Sequence, residues 1–215
     1  GPLEQSLCDI ARDLGLWFVP GSIHERDGDR IYNTAPVIDP GGRVVARYRK
    51  MFPFLPYEQG ITPGTEFVVF DVPEIGRFGV SICYEAIFPS LVRRFATGGA
   101  ELLVNVTNDA WYGTTSAPHQ HLAMAAFRAI ENRRYLVRAA NTGITAVVDP
   151  RGRVLEPTRL FDTTVLVREV PFVAETTFYT RHGDVFARAC AAMALALVAA
   201  TFRRPSTRMD GRRHP

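Results

Sequence analysis

The sequence predicts an α/β sandwich followed by a hydrophobic C-terminal helix. Strand-like runs interleave with amphipathic helical segments, Gly- and Pro-containing turns join many of them as hairpins, and one apolar run closes the chain. From Leu3 to Leu16, apolar residues fall at Leu3, Leu7, Ile10, Ala11 and Leu14, which is helical spacing. Trp17–Ile23 reads as a buried strand and Glu25-Arg26-Asp27-Gly28-Asp29 as a polar turn before the strand Ile31–Ile38. Asp39-Pro40-Gly41-Gly42 turns the chain into a return strand, Arg43–Tyr48, and the Pro-rich loop Met51–Glu66 follows. Phe67–Val72 and Phe78–Cys83 read as strands around a turn at Gly76, Pro89–Thr97 as a short helix, and Glu101–Val106 as a strand. A helix over His119–Arg133 precedes strands at Tyr135–Ala140 and Thr145–Asp149. Asp149-Pro150-Arg151-Gly152 is a turn, and Val165–Val170 reads as the last strand.

Composition narrows the function. The chain has 215 residues, 47% of them hydrophobic and 22% charged, which suits a folded domain rather than a disordered chain. Its formal charge of +3 is unevenly placed: seven arginines from Arg181 onward face only Asp184 and Asp210, so the body before them is slightly acidic. That argues against a nucleic-acid surface. Cys8, Cys83 and Cys190 form neither a CxxC nor a disulfide framework. His119 and His121 lack accompanying ligands and read as a polar helix start, so neither metal nor cofactor is expected. Val185–Phe202 would be about 27 Å long as a helix, close to the roughly 30 Å hydrocarbon core of a bilayer. Phe178 and Tyr179 precede it, and Arg203, Arg204, Arg208, Arg212 and Arg213 follow it. A membrane span over 183–203 is therefore preferred to a buried helix. By the positive-inside rule the basic tail, 204–215, is cytoplasmic and the globular body lies across the membrane.

Two residues stand out chemically. Cys83 ends an apolar strand just before a helix, a place where a side chain is presented outward beside free backbone N–H groups. That suits a nucleophile whose attack creates an oxyanion, although a strand cysteine is more often plain core. Lys50 is the only lysine among 25 basic residues. Chance survival in an arginine-rich chain is the plain alternative. A compact ammonium, however, fits where a planar guanidinium does not, and it lowers a neighbouring thiol's pKa. Glu58, eight residues on, is the candidate anchor for it.

Lys50 with Glu58, Ile82-Cys83-Tyr84-Glu85 followed by Phe88-Pro89, and Gly98-Gly99-Ala100-Glu101 resemble the nitrilase (carbon–nitrogen hydrolase) superfamily. Asn105-Val106-Thr107-Asn108-Asp109-Ala110-Trp111-Tyr112-Gly113 is similar to its apolipoprotein N-acyltransferase branch. So are Pro118-His119-Gln120-His121, Arg128–Arg134, Ala140–Thr145 and Phe178–Asp184. The resemblance implies a nitrilase-like αββα sandwich over 1–175 and a Glu–Lys–Cys triad. Cys83 would take an acyl chain from a phospholipid as a thioester and pass it to a lipoprotein's N-terminal amine. Lys50 would stabilise the oxyanion, Glu58 would hold Lys50, and Tyr84, Glu85, Trp111 and Tyr112 would shape the acyl pocket. It further implies the bacterial inner membrane, with the catalytic domain periplasmic. The triad's base glutamate should follow a strand upstream of a helix like Leu3–Leu16. None precedes Leu3, and Glu4 lies within the helix. The chain is thus expected to be a C-terminal excerpt, N-terminally truncated and inactive alone; measurable acylation by the 215-residue piece would refute this. Two rivals remain: an amidase of the same superfamily that lets water resolve the thioester, and a catalytically inactive binding module.

Overall fold

The computed structural model describes residues 1–55 and 57–202, and the basic tail expected over 204–215 lies outside the described residues. The chain divides into two compact units, the first Gly1–Arg181 and the second beginning at His182.

The first unit opens with α1 (Pro2–Leu14). Pro2 sits where a missing N–H costs nothing, and Gly15, at φ 62°, stops the helix by returning its N–H to Ala11 and Arg12. β1 (Ile23–Asp27), β2 (Arg30–Ile38) and β3 (Val44–Arg49) form an antiparallel sheet in that order. β1 is a departure from the sequence reading, which took Glu25–Asp29 as a turn. Its polar side chains are tolerated because β1 is an edge strand, and Glu25 accepts hydrogen bonds from Thr34 and Arg49. Of the strand expected over Trp17–Ile23, Phe18 pairs in an isolated bridge to Ile38 and Ile23 pairs with Thr34 as the first residue of β1. The alternation of β2 and β3 sends Ile38 towards Cys8 and Ala11 of α1, and Ala35, Val37 and Tyr48 into the main core.

The second sheet runs β4 (Val69–Val72), β5 (Gly76–Ile82), β6 (Leu102–Asn108), β7 (Tyr135–Asn141), β8 (Ala146–Val148) and β9 (Val154–Leu155), in that order. β5, β6 and β7 are parallel and the flanking pairs antiparallel. Parallel strands need crossovers, and α2 (Pro89–Thr97) and α3 (Ala117–Asn132) supply them. α2 buries Leu91, Val92 and Phe95, each contributing about 1.5–3 kcal/mol. The approach is close enough that a Cβ on Gly79 would stand 2.7 Å from Phe95. Both sheets, α2 and α3 share the main core, α1 packs against Ile38 in a smaller cluster, and together they make the expected αββα sandwich.

Val165–Val170 is not a strand. Val165 and Val167 are 85% and 88% exposed and no strand pairs with them among the described residues; only Val170 and Phe172 reach the core. α4 (Phe178–His182) follows. The second unit carries α5 (Val185–Phe202), the one described helix long and apolar enough to cross a membrane.

Candidate active site

The parallel strands β5, β6 and β7 end at one edge of their sheet, where ligand sites of open α/β sheets gather. β5 ends at Ile82, and Cys83 opens a single 3-10 turn, Cys83–Ile87. Cys83 has φ 55°, a left-handed conformation that strains a residue with a Cβ. The thiol is half-buried, and the N–H groups of Cys83 and Tyr84, at the start of the turn, have no partner inside it.

Lys50 follows the last residue of β3. Its N–H donates to the Asn33 carbonyl, and its own carbonyl accepts from Gly64 N–H. The side chain is 2% exposed, and Nζ donates to Glu58 Oε2 at 2.5 Å. Glu58 also accepts from Asn33 Nδ2 at 2.6 Å and from the Phe54 N–H. Burial pushes the Glu58 carboxyl up, but these donors and the Lys50 charge outweigh it and hold the group below the usual carboxylate range. Lys50 and Glu58 thus form the pair expected from sequence.

Glu85 stands elsewhere than expected. Rather than shaping a pocket, it is 0% exposed and joins two segments. Oε1 accepts from Tyr48 OH, Met51 N–H and Phe52 N–H at 3.0, 2.7 and 3.1 Å, and Oε2 accepts from Ile82 N–H at 2.8 Å. Burial raises its carboxyl pKa despite those donors. The residues next to Lys50 and Cys83 are therefore held by one carboxylate.

Aromatic rings gather where the loop after Lys50 meets the turn after Cys83. Tyr84 lies 4.8 Å from Phe54 and 5.7 Å from Phe88, centre to centre, and Tyr57 lies 5.2 Å from Trp111. Trp111 is 60% exposed on the 3-10 turn Ala110–Tyr112. Tyr112 is half-buried; burial first, then Cys83 and Asp109 nearby, push its phenol up to about 12.

Beneath Cys83 lies a buried network that the sequence reading did not assign. In the register of β6 and β7, Asn105 is paired with Arg138, so their side chains share a face. Arg138, fully buried, donates to Asn105 Oδ1 and to Asp109 Oδ2, the latter at 2.7 Å. Asp109 Oδ1 accepts from Thr107 and lies 3.1 Å from His121 Nδ1. Asn105 Nδ2 and His121 Nε2 both reach the Cys83 carbonyl oxygen, at 3.2 and 3.3 Å. Burial pushes the Asp109 carboxyl up, yet the His121 hydrogen bond and the Arg138 charge hold it below the usual range. Burial lowers the Arg138 pKa, with Asp109 opposing. His119, the other half of the HxH, is exposed.

The carbon–nitrogen hydrolase family profile matches residues 1–177. The chain is 43% identical over 218 residues to the apolipoprotein N-acyltransferase of Geobacter metallireducens, covering 92% of this chain and 42% of that protein. It is 38% identical over 240 residues to the apolipoprotein N-acyltransferase of Bradyrhizobium diazoefficiens, covering 98% of this chain and 43% of that one. The chain thus spans about two fifths of the length of these curated relatives. Among solved structures, Saccharomyces cerevisiae Nit3, of the nitrilase superfamily, superposes with a TM-score of 0.64 at 27% identity, over 73% of this chain and 60% of Nit3. A mutant amidase from Nesterenkonia sp. AN1, with the acetamide moiety of fluoroacetamide added covalently at its active-site cysteine, gives 0.64 at 28% identity. That match covers 73% of this chain and 62% of the amidase.

Proposed function

Because the chain belongs to the carbon–nitrogen hydrolase family, we propose that Cys83 is its nucleophile, with Lys50 stabilising the oxyanion and Glu58 holding Lys50. The observation that carries this is the Glu85 carboxylate, which ties the end of the Lys50 strand to the end of the Cys83 strand. A thiol and a buried ammonium held at one place suit acyl transfer through a thioester. The likeness to an amidase modified at its cysteine supports the same role for Cys83.

The acyl donor is a phospholipid and the acceptor the N-terminal amine of a diacylglyceryl-cysteine lipoprotein. The names of the relatives and the exposed aromatics Tyr57 and Trp111 beside Tyr84 support this. Sulfur attacks the ester carbonyl, the bond to the glycerol oxygen breaks, and a carboxylate base passes the thiol proton to that oxygen. The acceptor amine then attacks the thioester, the C–S bond breaks, and the amine's proton restores the thiol. Tyr84, Trp111 and Tyr112 border the acyl chain. α5 anchors the catalytic unit on the periplasmic side of the bacterial inner membrane, with the C-terminus cytoplasmic.

The test is trapping. The full-length protein, given a phospholipid with a labelled acyl chain, should carry the label on the Cys83 peptide until an acceptor lipopeptide discharges it. Cys83→Ala should lower turnover by at least about 10⁴-fold while keeping the wild-type melting temperature. Release of the label to water, with a small amide hydrolysed instead, would replace this reading with an amidase. No label on Cys83 would end it.

A further inference from the structure

Cys83, His121 and Asp109 have the composition of a Cys–His–Asp relay, and their geometry does something else. We infer that His121 and Asn105 are positioning residues that aim the peptide after the nucleophile, and that His121 is not the base. The inference rests on Cys83 being the acyl-accepting nucleophile.

His121 Nε2 lies 3.3 Å from the backbone carbonyl oxygen of Cys83. A carbonyl oxygen only accepts, so Nε2 must carry a hydrogen and offers no lone pair to the thiol proton. Nδ1 lies 3.1 Å from both Asp109 Oδ1 and Arg138 Nη2. A neutral ring accepts from Arg138 there, and a charged ring donates to Asp109. In both states the Nε2–H bond to Cys83 persists. Tyr84 and Tyr112 flank the imidazole, their ring centres 6.2 and 6.1 Å from it. Asn105 is oriented by the same arginine: Oδ1 accepts from Arg138, so Nδ2 faces the Cys83 carbonyl and Ser81.

The Cys83 carbonyl is thus gripped by two side chains whose own orientation Arg138 sets. A trans peptide is planar, so pinning that oxygen fixes the Tyr84 N–H in the opposite direction, away from Asn105 and His121. That N–H has no partner inside the 3-10 turn. When sulfur attacks a carbonyl, the new oxyanion meets a donor already aimed. Loosening the grip lets the plane swing and loses that donor without touching the thiol.

The test separates the two reactions a thiol can undergo. In the full-length protein, Cys83 acylation by p-nitrophenyl butyrate (sulfur displaces p-nitrophenolate, and the thiol proton leaves to solvent) builds an oxyanion. Alkylation by iodoacetamide builds none. Peptide mass mapping follows Cys83 apart from Cys8 and Cys190. His121→Ala should slow acylation about 10²-fold and alkylation less than about 3-fold, with His121→Gln, which keeps a side-chain N–H donor, restoring acylation to within about 5-fold. Asn105→Ala should act like His121→Ala. His121→Gln as slow as His121→Ala would overturn the inference, as would equal losses in both reactions or none. If His121→Ala does not fold, His121→Gln decides alone: near-wild-type acylation supports positioning, and loss overturns it. Acylation by the ester but never by phospholipid would sink the acyltransferase reading and leave the positioning role standing. A wild-type Cys83 that the ester never acylates would overturn both.

Discussion

Two ion pairs belong to the candidate site, and they are organised in opposite ways. Arg138 and Asp109 are both fully buried, and the guanidinium of Arg138 donates inward, to Ile144 O, Asn105, Asp109 and His121. Lys50 is nearly as deeply buried, but Glu58 retains 16% exposure. One ammonium hydrogen serves Glu58, which leaves Nζ capacity to donate elsewhere. In the proposed mechanism the first pair sets shape and the second presents charge. Arginine suits the first task because its planar fork holds several acceptors at once, and lysine the second because it donates from a point.

The largest expected effect tests the shape-setting pair. Arg138→Met strands a buried Asp109 and should cost about 3–5 kcal/mol, read as a lowered urea midpoint. An unchanged midpoint would break the contrast. Next comes Lys50→Arg, which keeps the charge but not the point donor. It should lower kcat for acyl transfer about 10²–10³-fold, with a smaller loss of stability than Arg138→Met. Full activity in that variant would show that any cation serves. The smallest effect is on pH dependence. The folded-state pKa of Glu58 is depressed, so its ion pair stabilises fully above the ordinary carboxylate range, about 4.3, and is lost as pH falls through the lower folded value. Glu58→Gln should flatten the fall in urea midpoint below about pH 4.3. Asp109, depressed in the same direction, leaves a residual slope. An identical slope in the variant would mean that Glu58 is not the coupled group.

These two pairs also mark what the sequence made legible. Lys50 was visible because the chain uses arginine everywhere else, and Glu58 lies eight residues away on the same loop. Cys83 was visible because it ends an apolar strand ahead of Pro89. Arg138 was not, since it lies in a strand-like run where a lone arginine reads as solvent-facing. Its burial follows from the pairing with Asn105, 33 residues earlier in the chain, which composition cannot reveal. His121 was taken as a polar helix start for the same reason. Glu85 was assigned to substrate because it adjoins Cys83, although its carboxylate turns back into the sandwich. Among the strands, β1 was hidden by its charged edge and 165–170 was overcalled, since alternating valines signal a strand only when a neighbour pairs with them.

The Glu85 carboxylate has one more consequence, in the order of events as the chain folds. Its donors from β3 and from the loop behind it lie 33 to 37 residues away along the chain, whereas Ile82 at the end of β5 is a local donor. Such long-range contacts form only once both sheets have docked. Before that, nothing holds the end of β3 beside the Cys83 turn. A half-folded chain therefore lacks the arrangement proposed for acyl transfer, which forms together with the closed sandwich.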